Sequence, residues 1–204
     1  MTDIKWIFFD IGSTLVDESV VYERRFKAIS KLANVSKEYV FQKAIAFYKN
    51  NKKGDLEAIN LFGVNMPKWE SQYEMLFDDT ELCLRVLSSK YKIGIIANQD
   101  YGTENRLINF GIRQYIDVII ASAEEGVAKP DKRIFELALN RTNCKAEHAV
   151  MIGDRIDNDI IPAKEMGMKT VWIKQGMGKY WKISNDYENA DFVIDNLSEL
   201  LTIL

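Results

Sequence analysis

The sequence predicts an α/β fold, a parallel sheet covered by helices on both faces, with a helical insertion after the first strand. Three observations carry this reading. Short apolar runs rich in β-branched and aromatic residues recur along the chain, most are separated by segments of helical periodicity, and the one long stretch that breaks the alternation, residues 17–78, is periodic as helix alone. Strands alternating with helices imply crossover connections, and these bury a parallel sheet between two helical layers.

The first run, residues 4–9 (IKWIFF), is closed by Asp10 and Gly12 and reads as a strand buried on both faces. Five similar runs follow at 92–97 (KIGIIA), 116–121 (IDVIIA), 149–152 (AVMI), 170–173 (TVWI) and 192–194 (FVI). Between them the periodicity predicts helices over 103–110, stopped by Gly111, over 131–140, and over 159–166, stopped by Gly167. Glycine just beyond a helix end supplies the left-handed residue that ends it. Within 17–78 the pattern predicts amphipathic helices over 23–32 and 37–48, the latter with Ser36 as N-cap, and shorter pieces around 56–62 and 69–76, with no strand. The stretch 176–181 (GMGKYW) lacks the third glycine of a dinucleotide fingerprint and reads as a loop after the fifth strand.

Composition narrows the function. The 204 residues suffice for one core with an accessory piece, and 27 Lys+Arg against 30 Asp+Glu give a net charge of -3 with no long run of either sign. Nucleic acid is therefore not the expected partner. Cys83 and Cys144 have neither metal-ligand spacing nor a disulfide framework around them, which suits a reducing compartment, and the cytoplasm is the expected location. Asp3 stands where a signal peptide wants positive charge, and the apolar run ending at Asp10 is too short to span a bilayer, so neither export nor a membrane partner is indicated.

In open parallel sheets ligands bind beyond the carboxyl ends of the strands. Polar residues at those ends are Asp10, then Asn98-Gln99-Asp100, then the loop 124–129 ending in Lys129, then Asp154, Asp157 and Asp159. Carboxylates around one lysine, with a single histidine in the whole chain, form an oxygen-ligand set for a hard cation such as Mg2+ rather than zinc. Such a cation points in turn to phosphate, with one carboxylate placed to attack phosphorus.

These residues carry a family resemblance that spans essentially the whole chain. Phe8-Phe9-Asp10-Ile11-Gly12-Ser13-Thr14-Leu15-Val16-Asp17 resembles the first motif of the haloacid dehalogenase-like (HAD) hydrolases, and Ile95-Ile96-Ala97-Asn98 the second. Gly126-Val127-Ala128-Lys129-Pro130-Asp131 with Ile134-Phe135 resembles the third, and Val150-Met151-Ile152-Gly153-Asp154 with Asp159, Ala163 and Gly167-Met168 the fourth. The resemblance implies a HAD-like Rossmannoid core of residues 1–16 and 79–204 and a small C1-type helical cap of residues 17–78. It implies a Mg-dependent phosphatase of a small phosphorylated metabolite. Asp10 would be nucleophile and metal ligand, the Gly12 backbone carbonyl and Asp154 further ligands, and Asp159 a support for the metal or for Lys129. Lys129 would be catalytic and hold the phosphoryl group, with Asn98 beside it at the substrate.

The chain departs from the family pattern at two places. Gly12 stands where these phosphatases carry an aspartate that protonates the leaving group, and Ala97 where a hydroxyl meets the phosphoryl oxygens. General acid–base assistance is worth about a hundredfold to ten-thousandfold, so good leaving groups should be preferred unless another acid substitutes. The departures keep open two alternatives, a non-catalytic HAD-fold binding or regulatory protein and a metal-independent 2-haloacid dehalogenase-like hydrolase.

Several residues have a plainer reading. Asp17 and Glu18, just past the turn, could supply the missing acid but read rather as solvated hinge residues, Asp157 as an acid at a helix start, and His148 as a structural or surface residue. On the insertion, Trp69 and Tyr73 read as core and Arg24 and Arg25 as surface.

Overall fold

The structure, a computed structural model, describes residues 3–204, so the first two residues of the predicted core segment lie outside the described residues. Its strands are β1 (Trp6–Phe9), β2 (Val16–Asp17), β3 (Met75–Leu76), β4 (Lys92–Ala97), β5 (Val118–Ala121), β6 (Ala149–Gly153), β7 (Lys169–Ile173) and β8 (Phe192–Ile194). Its α-helices are α1 (Ser19–Ala33), α2 (Lys37–Tyr48), α3 (Gly54–Phe62), α4 (Thr80–Ser88), α5 (Thr103–Asn109), α6 (Ser122–Glu125), α7 (Lys132–Thr142), α8 (Ile161–Glu165) and α9 (Leu200–Ile203).

Each apolar run expected as a strand is one, and all six pair in parallel in the order β5-β4-β1-β6-β7-β8. Alternation along them fills two cores. Ile7 and Phe9 of β1, Ile93 and Ile95 of β4, and Val150 and Ile152 of β6 join Leu84 and Leu87 of α4 and Leu107 of α5 on one face. Phe8, Ile96 and Met151 join Ile134, Phe135 and Ala138 of α7 and Ala163 of α8 on the other. Fully burying each of these side chains other than the alanines contributes about 1.5–3 kcal/mol, so the sheet is held from both sides. Gly94 lies opposite Phe8 in the ladder, and a Cβ there would come within 2.5 Å of the Phe8 ring.

Helices α1–α3 pack around a separate cluster of Phe26, Ile29, Val40, Ala44, Tyr48, Ala58 and Ile59. Asn34 in the left-handed conformation ends α1, Gly63 ends α3, and the Ser36 side chain caps α2 by accepting from the Tyr39 N–H at 3.1 Å, as its sequence position predicts. Gly54 opens α3 against α2, where a Cβ would meet the Ala44 carbonyl oxygen at 2.1 Å.

The insertion is not free of strand. β2 pairs antiparallel with β3, Val16 opposite Leu76 and Asp17 opposite Met75, and the expected helical piece at 69–76 is a short 3-10 turn, Ser71–Tyr73, followed by β3. Two-residue strands are too short to carry a period of two, and their partner lies at the far end of the insertion, so no local pattern announces them. The helix expected over 159–166 begins as a π-helical turn, Ile156–Ile160, before α8. Among the described residues no helix is long and apolar enough to cross a membrane.

Candidate active site

Connections from β1 through β4 to β5 build the sheet in one direction and β6 to β8 build it in the other, so the order reverses beside β1. That reversal is where α/β sheets open a crevice at the strands' carboxyl ends. Asp10 leaves β1 there, its N–H donating to the Ile152 carbonyl of β6 at 2.9 Å. Because Phe9 pairs with Ile152, Asp10 and Asp154 leave neighbouring strands at almost the same level.

Lys129 joins the elements. Its Nζ donates to Asp10 Oδ1 at 2.7 Å, to Asp159 Oδ1 at 2.6 Å and to the Ile96 carbonyl of β4 at 2.8 Å, which uses all three of its protons. Burial works against the charge on this amine, but the carboxylates of Asp10 and Asp159 outweigh it and hold its pKa above the ordinary lysine value. Asn98 clamps the same residue from the backbone side, its Oδ1 accepting from the Lys129 N–H at 2.7 Å and its Nδ2 donating to the Lys129 carbonyl at 2.8 Å. The Asn98 side chain therefore positions Lys129 first and keeps one Nδ2 proton for the cleft.

Three acids face one point. Carboxylate oxygens of Asp10, Asp154 and Asp159 lie within 4.8 Å of one another. Burial pushes Asp159 up to about 6 despite the opposing charge of Lys129, and burial followed by the charges of Asp159 and Asp10 raises Asp154 well above the usual carboxylate range. Trp172 Nε1 donates to the Asp154 backbone carbonyl at 2.8 Å, whereas no donor among the described residues reaches its carboxylate. Buried carboxylates crowded in this way, one of them without a donor, suit a divalent cation. Asp157 stands apart, paired with Arg155 at 2.5 Å. The His148 ring meets the Asp3 carbonyl at 3.0 Å through Nδ1 and the Glu147 carboxylate at 3.7 Å through Nε2.

A cavity of about 160 Å³ contains these groups, lined also by Gly12, Ser13, Glu18, Tyr22, Tyr48 and Gly178. Ala97 is fully buried at the end of β4. Glu18 departs from the sequence reading. Instead of lying in solvent at a hinge, its carboxyl group reaches into the cavity, where Ser13 Oγ donates to its Oε2 at 3.0 Å. Burial, opposed by that hydrogen bond and reinforced by the charge of Asp10, lifts its pKa to about 8.

The loop after β7 was legible as a loop but not as part of the site. A Cβ on Gly176 would lie 2.3 Å from Ser13 Oγ, and one on Gly178 2.3 Å from the Asp154 carbonyl oxygen, so bare backbone closes over both residues. Met177 between them is buried among the side chains of α1–α3. The small-large-small pattern of Gly176-Met177-Gly178 was the available signal. Arg24 and Arg25 are held within the insertion by Glu70 and Asp55, each at 2.7 Å, and Trp69 Nε1 donates to Glu74 at 2.7 Å, so these side chains brace the insertion and its rim.

The family model of haloacid dehalogenase-like hydrolases matches residues 4–167. The chain belongs to the haloacid dehalogenase-like hydrolases. Within that enzyme family it is 32% identical to glyceraldehyde 3-phosphate phosphatase of Pyrococcus furiosus, over 100% of this chain and 94% of the relative. It is 31% identical to the protein of the same name from Pyrococcus abyssi, over 85% of this chain and 82% of the relative. Among solved structures, a HAD phosphatase from Thermococcus onnurineus superposes with a TM-score of 0.66 at 25% identity, covering 98% of this chain and 97% of that one. A haloacid dehalogenase-like family protein, SP0104 from Streptococcus pneumoniae, shares the fold with a TM-score of 0.71 at 23% identity over 100% and 99% of the two chains.

Proposed function

We propose that this HAD hydrolase is a magnesium-dependent phosphatase of a small phosphorylated metabolite, working through a phosphoryl group carried on Asp10. The observation that carries the reading is the buried Lys129 amine joining Asp10 to Asp159 while Asp154 offers an unengaged carboxylate at the same point. Asp10, Asp154 and the Gly12 backbone carbonyl are the proposed ligands of the cation, with Asp159 supporting it and Lys129 together. When bound, Mg2+ neutralises the phosphoryl oxygens and draws charge away from phosphorus as the new bond forms.

The chain's own residues do the rest. Asp10 attacks phosphorus with the carboxylate oxygen not bonded to Lys129, and the P–O bond to the leaving group breaks. Lys129, fixed by Asn98 and the Ile96 carbonyl, steadies the nucleophile and screens it from Asp159. Water then cleaves the acyl-phosphate and regenerates Asp10. Residues 17–78, with α1–α3, are the proposed cap that closes the site, Tyr22 and Tyr48 facing the cavity from it. The relatives' names make glyceraldehyde 3-phosphate the first substrate to test.

The decisive experiment is phosphate release from small phosphate esters by wild type and Asp10→Asn, with magnesium and with chelator. Turnover by wild type should vanish in both Asp10→Asn and chelator. Undiminished turnover by Asp10→Asn refutes the nucleophile, and turnover surviving complete chelation refutes the metal.

A further inference from the structure

The turn after Asp10 leaves a vacancy at Gly12 that another residue occupies. A Cβ built on Gly12 would lie 2.5 Å from Glu18 Oε1 and 2.9 Å from Glu18 Cδ. The carboxyl group of Glu18 thus takes the volume that a side chain two residues after Asp10 would have filled. Ser13 Oγ holds Oε2 at 3.0 Å, which leaves Oε1 turned towards Gly12.

Glu18 also stands at a boundary. It lines the small cavity with Asp10, Lys129 and Asp154, and it lines a second cleft of about 710 Å³ with Trp69, Gln99 and Arg106. Among the described residues it is the one acid that lines both. A phosphoryl group held at Asp10 with its organic part in the larger cleft would place the scissile P–O bond beside this carboxyl. Neighbouring acids have other tasks. Asp17 Oδ1 accepts from the Ser19 N–H at 2.8 Å, and Glu74 is bonded to Arg106 at 2.6 Å.

We infer that Glu18 is the catalytic proton donor to the leaving group and then the base for the attacking water, replacing from the start of the insertion the side chain that Gly12 lacks. The inference rests on the reading of Asp10 as nucleophile. In the first step an Asp10 oxygen bonds to phosphorus, the P–O bond breaks with its electron pair going to the leaving oxygen, and that oxygen takes the Glu18 proton. In the second, Glu18 carboxylate takes a proton from water as the water oxygen bonds to phosphorus. The bond from phosphorus to Asp10 breaks, and inorganic phosphate leaves with both side chains restored.

The test is stopped-flow and steady-state turnover of the magnesium-loaded full chain on p-nitrophenyl phosphate and on an alkyl phosphate. Glu18→Gln keeps the size and the hydrogen bond to Ser13 but has no proton to give. It should lower kcat for the alkyl ester about a hundredfold to ten-thousandfold with little change in KM. With the aryl ester, whose leaving group needs no proton, it should show a burst of one nitrophenolate per enzyme followed by slow turnover, because only the second step still needs a base. Gly12→Ala, whose methyl would displace the Glu18 carboxyl, should show the same pattern, and Gly12→Asp/Glu18→Gln should recover alkyl turnover. An unchanged alkyl kcat in Glu18→Gln, or equal losses on both esters without a burst, overturns the inference while Asp10→Asn remains inactive. Turnover retained by Asp10→Asn overturns the nucleophile reading and this inference with it.

Discussion

Replacing Lys129 by methionine, which has similar length and no charge, tests whether the amine at the centre of the site also holds the metal-free fold together. Lys129 is 5% exposed, Asp159 1%, and the three bonds from Nζ to Asp10, Asp159 and the Ile96 carbonyl vanish together. Breaking a buried pair by removing one partner costs about 3–5 kcal/mol, part of it the roughly 1–3 kcal/mol of leaving a carbonyl without a donor. For a chain of this size each kcal/mol lowers Tm by about 2–4 °C, so the loss should be about 6–20 °C. Its pH dependence has a definite sign. Asp159 already sits above its unfolded value, at about 6, because burial outweighs the pull of Lys129, and without the amine it rises further. An acid raised by folding binds its proton more tightly when folded, so stability falls as pH rises from the unfolded pKa to the folded one, by up to about 1.4 kcal/mol per pH unit. Wild type stops losing stability from this group above about 6 and the variant does not, so the gap should widen between pH 5.5 and 8. Lys129 itself, with a raised folded pKa, contributes fully below its unfolded value and is lost only as pH rises through the folded one, so it stays charged across that window. Thermal unfolding followed by tryptophan fluorescence in chelator measures both. A Tm within 2 °C of wild type at pH 8, or a gap larger at pH 5.5 than at pH 8, refutes the account, since about 3 kcal/mol is the least it requires.

Two further substitutions probe how the site is framed. Trp172→Phe removes the bond from Nε1 to the Asp154 carbonyl while keeping an aromatic ring, and should weaken magnesium binding about tenfold or more, read by calorimetric titration. Gly178→Ala puts a methyl 2.3 Å from the Asp154 carbonyl oxygen and 2.6 Å from Oδ2, so the loop or the aspartate must shift. The expected destabilisation is about 1–3 kcal/mol with reduced kcat, measured by urea unfolding and phosphate release, and an unaltered kcat would show that the loop does not fix Asp154.

The fold was readable where one physical signal repeated locally. Strands buried on both faces must be apolar throughout, so runs such as KIGIIA and AVMI stood out, and Gly111 and Gly167 marked helix ends because positive φ, here 73° and 85°, suits glycine. The ladder of Val16 and Asp17 with Leu76 and Met75 was not readable, because its stability comes from a partner some sixty residues away in sequence and its strands are two residues long. The π-helical turn at Ile156–Ile160 escaped for a related reason. Its amphipathic residues fit a helix, but Pro162 has no N–H to give and the Asp159 and Ile160 N–H groups both donate to the Arg155 carbonyl, which local periodicity does not encode.

The site was readable as a set of strand ends and unreadable as side-chain reach. Parallel pairing obliges Asp10 and Asp154 to emerge side by side, whereas whether Glu18 turns outward or inward depends on Gly12 and Ser13, and on the room that glycine leaves.

Charge accounting then links the parts. The small cavity is lined by four carboxyl groups, Asp10, Glu18, Asp154 and Asp159, and by two cationic side chains, Lys129 and Arg155. Both cations are already paired with acids. Lys129 is shared by two of those acids, and Arg155 is bonded twice to Asp157. A phosphoryl group brings further negative charge into a space from which burial has removed most of the water's screening, so without a counter-cation it meets net repulsion. Affinity for the phosphoryl group and affinity for the divalent cation are therefore linked, and each must raise the other by the same factor. Burial above all, opposed by the Ser13 hydrogen bond and reinforced by the charge of Asp10, raises the Glu18 carboxyl to about 8, so this acid keeps a proton at neutral pH, as a leaving group on the far side of the phosphorus requires of it.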